Sequence, residues 1–253
     1  MIQAMPEQLQ SWEFAENVFA ACTNRIQGYS KSPYAELNLG YHVGDEAEWV
    51  RLNRLQVKTQ LALPTEPHWL NQVHGSQVIE ITKVGTGMIP EADGSYTTMV
   101  NEVLAIQVAD CLPILISAVN GSEIMALHAG WRSLQAGIIQ QGLSRLGSND
   151  LRAWIGPGIR QCHFEVGLEL YKVFDETYFC PGDDAQHLNL DLAGYAADLL
   201  RKGGVTDIID TQICTVCCND TYFSHRLEGF CCAALEGKLR VLIPSHAFWP
   251  SSS

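Results

Sequence analysis

Three stretches end or break an apolar run at a metal-capable side chain beside a small residue. They are Asn71-Gln72-Val73-His74-Gly75, Val108-Ala109-Asp110-Cys111-Leu112-Pro113 and Ala126-Leu127-His128-Ala129-Gly130-Trp131-Arg132. Zinc accepts imidazole and thiolate, and a catalytic zinc keeps three protein ligands and a water. His74, Cys111 and His128 would supply that set. One thiolate and two neutral imidazoles leave the ion at a net charge of about +1, enough to acidify a bound water. Ligands at strand ends are rigidly held, and Gly75 and Gly130 leave room for close approach. Asp110, beside the cysteine, is a candidate to orient a ligand or to accept a proton. The spacing is not a short zinc motif, and any one of the three residues taken alone also reads as ordinary core or strand-end structure.

The elements that must position these residues follow from periodicity and breakers. Helical spacing predicts a helix over 45–61 with Asp45 as N-cap, and others over 131–146, 167–179 and 190–202, the last stopped by Gly203-Gly204. Apolar runs predict strands at 69–82 (broken at His74-Gly75), 103–108, 113–119, 124–128 and 153–155. The region 208–242 reads as strand, a cysteine-rich turn and more strand. Helices and strands interleave without regular βαβ spacing, which predicts an α+β fold with mixed sheets rather than a doubly wound parallel one.

Bulk properties narrow the function classes. The chain has 253 residues, 47% of them apolar and 17% charged, in the range of a packed globular protein. Its formal net charge of −12, with basic residues scattered, argues against a nucleic-acid partner. A small anion still needs only one or two arginines. The first fourteen residues carry Glu7 and Glu13 and do not read as a signal peptide, and no run reaches membrane-helix length, so the expectation is a cytoplasmic protein without a membrane role. Nine cysteines in such a compartment stay reduced. Cys214, Cys217 and Cys218 contain a C-x-x-C. Cys231 and Cys232 could supply a second pair, but adjacent cysteines chelate poorly. The reading is therefore unreactive buried thiols. Trp131 and Phe248-Trp249 could stack on a ring, although core packing is their commoner use. The deaminase pattern H-x-E with P-C-x-x-C, the Walker A loop, G-x-S-x-G and H-E-x-x-H are all missing from the sequence.

Several motifs in order resemble the YfiH family, also called the laccase-domain or polyphenol oxidase family. Thr23-Asn24-Arg25, Asn38 to Asp45 and Asn53-Arg54 resemble its N-terminal motifs. The segments around His74, Ala92-Asp93-Gly94, Cys111 and His128 resemble its central ones. Ile155 to Ile159, Cys162, Phe164-Glu165-Val166, Cys214-Thr215 and Phe223 to Arg226 resemble its C-terminal ones. The likeness spans nearly the whole chain and implies one domain over 1–253. It implies a layered α/β/β/α fold with mixed sheets, similar to a cytotoxic necrotizing factor catalytic domain. It places zinc on His74, Cys111 and His128. Two stretches depart from the family: Ile26-Gln27-Gly28-Tyr29 lacks its Gly-Gly pair, and Arg226 runs into Leu227-Glu228-Gly229 instead of a basic glycine-containing run.

The resemblance implies phosphorolysis of adenosine, inosine and methylthioadenosine to free base and (methylthio)ribose 1-phosphate, together with adenosine deamination. Arg25 and Arg54 are then candidates for the phosphate, and His42 for a proton or ribose contact. An ion pair or a structural hydrogen bond is the alternative use of each. The family name also suggests copper-dependent phenol oxidation, and a Cys-His-His set resembles the equatorial ligands of a blue-copper centre. The eight histidines include no H-x-H pair for a trinuclear copper site. A third implied activity is hydrolytic editing of peptidoglycan precursors. The expected assembly is a monomer or homodimer acting on a small-molecule substrate. A metal-stabilised interaction module is the non-enzymatic reading; a structural zinc would need a fourth protein ligand, and none is evident near the triad.

Overall fold

The computed structural model describes residues 9–15, 17–82, 89–184, 186–228 and 240–244. Its centre is a pair of strands, β6 (Leu112–Ala118) and β7 (Ile124–Ala129), in which every residue is buried. Strands apolar on both faces must be covered on both faces, and the side chains alternate accordingly. Leu112, Ile114 and Ile116 of β6, with Met125 and Leu127 of β7, join one core; Leu115, Ile124 and Ala126 join another on the opposite face.

Around this pair the sheet runs β12-β8-β6-β7-β4-β3, adding β3 (Val78–Glu80), β4 (Gly94–Thr97), β8 (Leu151–Ile155) and β12 (Asp207–Asp210). The β3–β4 and β12–β8 pairs are parallel and the others antiparallel. A four-stranded antiparallel sheet has the order β1-β2-β13-β5, from β1 (Leu9–Ala15), β2 (Val18–Thr23), β5 (Leu104–Ala105) and β13 (Arg240–Pro244). A small sheet, β10-β11-β9, is made by β9 (Glu165–Gly167), β10 (Phe179–Pro181) and β11 (His187–Leu190).

Helices α2 (Trp131–Gln135), α3 (Ile138–Leu143) and α4 (Leu192–Lys202) cover the first face of the large sheet through Leu134, Ile138, Ile139, Ala196 and Leu200. The four-stranded sheet packs on the other face, where Val18, Ala20, Leu104 and the fully buried Trp154 meet. Helix α1 (Ala47–Gln60) closes the stack, its Val57 packing with Ala21 and Ala105. The order of layers is α/β/β/α, as the resemblance implied, with a mixed large sheet and two antiparallel smaller ones. No helix among the described residues is long and apolar enough to cross a membrane.

Local departures have local causes. The expected helix over 131–146 is split in two because Gly137 takes a left-handed φ of 85°. The expected helix over 167–179 is absent. Buried Leu170 and Phe174 mimic helical spacing, but Leu170 opens one short 3-10 turn and Phe174 falls between it and a second, which the Asp175 side chain starts by accepting the Thr177 N–H. Asp45 does not cap α1; its carboxylate accepts from Asn38 and from the Glu46 N–H, and the helix begins at Ala47. The strand expected over 103–108 keeps only Leu104–Ala105 in a ladder. Beyond it the Gln72 amide takes the place of a neighbouring strand, donating to the Gln107 carbonyl at 2.7 Å and accepting its N–H at 2.8 Å.

Candidate metal centre

His128 is the next-to-last residue of β7 and entirely buried. Cys111 immediately precedes β6, and His74 lies in the loop ahead of β3. The antiparallel β6–β7 pairing sets Pro113 opposite His128, so Cys111 and His128 meet at one end of the central pair. The ligand atoms of all three residues lie within 4.8 Å of one another, and the two imidazole rings meet edge to face at 4.8 Å.

Asp93, just before β4 and wholly buried, organises this corner. Its Oδ1 accepts the His128 Nδ1–H at 2.7 Å and the His74 backbone N–H at 2.8 Å. Its Oδ2 accepts the N–H groups of Gly75 at 2.7 Å and Val73 at 3.2 Å. One carboxylate thus fixes the ring of one candidate ligand and the backbone of another. His74 sits at a φ of 60°, a left-handed conformation unusual for a histidine, and these three N–H bonds hold it there.

These residues fit a metal ion. With Nδ1 committed to Asp93, His128 directs Nε2 at the other two ligands, and that nitrogen is buried with no hydrogen-bond partner. A carboxylate behind a histidine is the usual support for a ligating imidazole. Gly130 is required beside it: a Cβ there would stand 2.7 Å from Cys111 Sγ and 3.2 Å from the His74 ring.

The electrostatics agree. Burial pushes the Cys111 thiol up, but the facing His128 and His74 outweigh it and bring the thiol down to about 7. Burial opposes charge on His128 too, yet the Cys111 thiolate and Asp93 raise it to about 9. Without metal each of the two therefore favours the charged form of the other. The His128 contribution to stability is full below its ordinary value near 6.5 and is lost as pH rises through about 9. The Cys111 contribution is full above the ordinary thiol value near 8.5 and is lost as pH falls through about 7. Thermal unfolding of chelator-treated protein across this range should show greatest stability between about pH 7 and pH 9. The same scan on Cys111→Ser should lose the acid-side slope; an unchanged slope would refute the pairing.

The other sequence candidates fall in different places. Asp110 is buried next to Cys111 at a φ of 79°, but its carboxylate turns away. It accepts from the Thr215 hydroxyl at 2.5 Å and the Arg226 N–H at 2.7 Å, tying the 215–226 segment to the site. Arg25 is engaged by Glu228 at 2.6 Å, by the carbonyls of Ala35 and Asn219, and by the face of Phe223. Glu228 belongs to the stretch where the sequence departs from the family.

Arg54 is held between the rings of Tyr41 and Trp69, 4.5 and 3.6 Å from their centroids, and burial lowers it to about 10, still a cation at neutral pH. It lines a hollow of about 380 Å³ with Arg51, Lys58 and Glu66. His42 is exposed in the turn Tyr41–Val43 beside it. Arg54 Nε and Gln107 Nε2 both donate to the Leu39 carbonyl, and Gln107 pairs with Gln72, two residues from His74. That network joins the hollow to the metal corner.

Sequence reasoning assigned no role to Asp93. Its signal was a charged residue between Ala92 and Gly94 at the head of a buried strand. The reading of Cys214, Cys217 and Cys218 as buried thiols is corrected: Cys214 is buried, but Cys217 is exposed and Cys218 half-buried. Cys231, Cys232, Phe248 and Trp249 lie outside the described residues.

Comparison with known proteins gives a consistent picture. The family model described as "Multi-copper polyphenol oxidoreductase laccase" matches residues 19–235. The Escherichia coli protein named purine nucleoside phosphorylase YfiH is 37% identical over 226 residues, covering 86% of this chain and 91% of that protein. A Haemophilus influenzae protein named purine nucleoside phosphorylase is 34% identical over 229 residues, 87% of this chain and 93% of its own. Among solved structures, the Neisseria meningitidis protein NMB0706 superposes with a TM-score of 0.84 at 33% identity over 94% of this chain and 98% of that one. YlmD from Geobacillus stearothermophilus gives 0.83 at 26% identity, covering 94% of this chain and 99% of its own.

Proposed function

Since this chain belongs to the multi-copper polyphenol oxidoreductase laccase family, we propose that it is a zinc-dependent purine nucleoside enzyme that phosphorolyses adenosine, inosine and methylthioadenosine and also deaminates adenosine. The observation that carries the reading is the convergence of His74, Cys111 and the partnerless His128 Nε2 in a three-ligand corner. Relatives 36% and 37% identical to this chain over 226 aligned residues bear the name purine nucleoside phosphorylase.

Zinc bound there would supply a Lewis acid with an open position, suited to activating water or orienting phosphate. The chain's own residues would do the rest. Asp93 holds His128 in the tautomer that presents Nε2. Arg54, a cation pressed between two aromatic rings, offers charge for phosphate, while Tyr41 and Trp69 offer faces for a purine. His42, on the same turn as Tyr41, is placed for a ribose or proton contact. In phosphorolysis a phosphate oxygen bonds C1′ as the C1′–N9 bond breaks, giving ribose 1-phosphate and the base. In deamination water adds at C6 and ammonia leaves, giving inosine.

Copper-dependent phenol oxidation has weaker support. Among the described residues, the clusters able to hold a metal are the triad and a group of three cysteines with one histidine. Neither has the several histidines that a trinuclear copper site uses.

Incubating metal-assayed protein with adenosine, with and without phosphate, tests the proposal. Adenine should appear only with phosphate, and inosine in both. A zinc-loaded sample that turns over neither, or that instead consumes oxygen with a phenol once copper is added, would sink it.

A further inference from the structure

Away from the triad, four side chains from two distant segments converge. Cys162 and His163 lie on the turn after Gly158; Cys214 and Cys217 lie on the C-x-x-C turn after β12. All four donor atoms are within 4.8 Å of one another. His163 Nδ1 stands 3.2 Å from Cys162 Sγ, 3.4 Å from Cys217 Sγ and 3.7 Å from Cys214 Sγ, and the sulfurs of Cys162 and Cys217 are 3.9 Å apart.

Those distances can be compared with a tetrahedron around zinc. With Zn–S near 2.3 Å and Zn–N near 2.05 Å, neighbouring sulfurs sit about 3.8 Å apart, and sulfur and nitrogen about 3.6 Å. The Cys162–Cys217 separation lies close to the first value, and the three sulfur–nitrogen separations bracket the second. A disulfide needs its sulfurs at about 2.05 Å, and a ring nitrogen this close to all three sulfurs is not explained by pairing two of them.

The surroundings favour a shared cation. Backbone N–H groups of Cys217, Arg160 and Val216 point at Cys214 Sγ, an arrangement that suits a thiolate there. Three thiols this close cannot all ionise unless a positive ion stands among them. The backbone around them is fixed: His163 and Phe164 N–H both return to the Arg160 carbonyl, Cys218 N–H to Cys214, and Thr215 N–H to Gly158.

We propose that Cys162, His163, Cys214 and Cys217 form a second metal centre, a closed Cys3His site that takes zinc. Four protein ligands leave no position for substrate, so the site is structural. It clamps the 158–164 turn to the 214–217 turn. The latter carries Thr215, which bonds Asp110 beside Cys111, and Arg226 donates to the carbonyls of His163 and Glu165. The second centre thus braces the wall of the first. Binding exchanges the thiol protons for the ion and involves no redox step.

The test is zinc content per chain of the full-length protein, purified with reductant from zinc-supplemented cells. Wild type should hold two, Cys111→Ser one and Cys217→Ser one. Cys217→His, which keeps a ligand, should recover two. Cobalt-loaded Cys111→Ser should show strong thiolate-to-cobalt absorption with tetrahedral ligand-field bands, a readout that does not require Cys217→Ser to fold. One zinc in wild type with none in Cys111→Ser overturns the proposal. So does a Cys162–Cys217 disulfide found by mass spectrometry in protein free of zinc at these residues.

Discussion

On the proposed zinc site and function, Cys111→Ala should strip the metal from the His74–Cys111–His128 centre and take phosphorolysis and deamination to background together. The thiolate is the one anion among the three ligands, so its loss leaves two neutral imidazoles to hold a dication. Changing even the partner behind a ligand commonly costs 10–100-fold in metal affinity, so removal of the ligand itself should cost roughly 100-fold or more. The fold should survive. Cys111 precedes β6 rather than lying within it, and the substitution shortens a side chain in an already tight corner under Gly130. Metal analysis after mild dialysis, circular dichroism and nucleoside turnover measured on one preparation would check all three expectations. Unchanged zinc at the triad would remove Cys111 from the ligand set. Retained turnover without that zinc would separate the chemistry from the metal.

Cys111 and His128 were legible in the sequence because each adjoins or lies in a run of buried strand residues, a pattern that period and composition reveal, whereas His74 lies in a loop beside the exposed Val73 and was marked only by its neighbouring glycine. The layered α+β architecture was legible for the same reason: β6 and β7 are continuous apolar stretches, and α4 carries a clean amphipathic period with a glycine stop. What was not legible depends on contacts between distant segments. Cys214 and Cys217 were noticed, but their partners were sought downstream at Cys231 and Cys232. The residues that meet them, Cys162 and His163, lie upstream beyond β9 to β12 and form a dipeptide that no short zinc pattern includes. Asp110 drew attention by adjacency to Cys111, whereas the carboxylate that supports His128, Asp93, comes from just ahead of the neighbouring strand β4. The 167–179 stretch shows the converse failure. Its Leu170 and Phe174 keep helical spacing, yet Asp175 breaks the run by bonding Thr177, a local competition that periodicity does not see.

Asp93→Ala should produce the largest loss of stability of any single change at the site, about 3–5 kcal/mol, the range found when one partner of a buried ion pair is removed. Total stabilities of about 5–15 kcal/mol make that a large fraction. The mechanism is specific. Four hydrogen bonds end on this carboxylate, from His128 Nδ1 and the backbone N–H groups of 73–75. Alanine leaves a buried imidazole and three amides without their acceptor, and nothing then holds His74 in its left-handed backbone. Asparagine should recover only part of the loss, because its NH2 group would face donors. The pH dependence has a definite sign. Burial pushes the Asp93 carboxyl up, but His128 and the backbone N–H groups overcome this and hold it below the ordinary carboxylate value. Its contribution is therefore present above about pH 4 and is lost as pH falls through the depressed value. Urea unfolding of wild type and Asp93→Ala should show the full gap at neutral pH, with the two converging in acid. A gap that persists at low pH would mean that packing at position 93, rather than its charge, carries the effect.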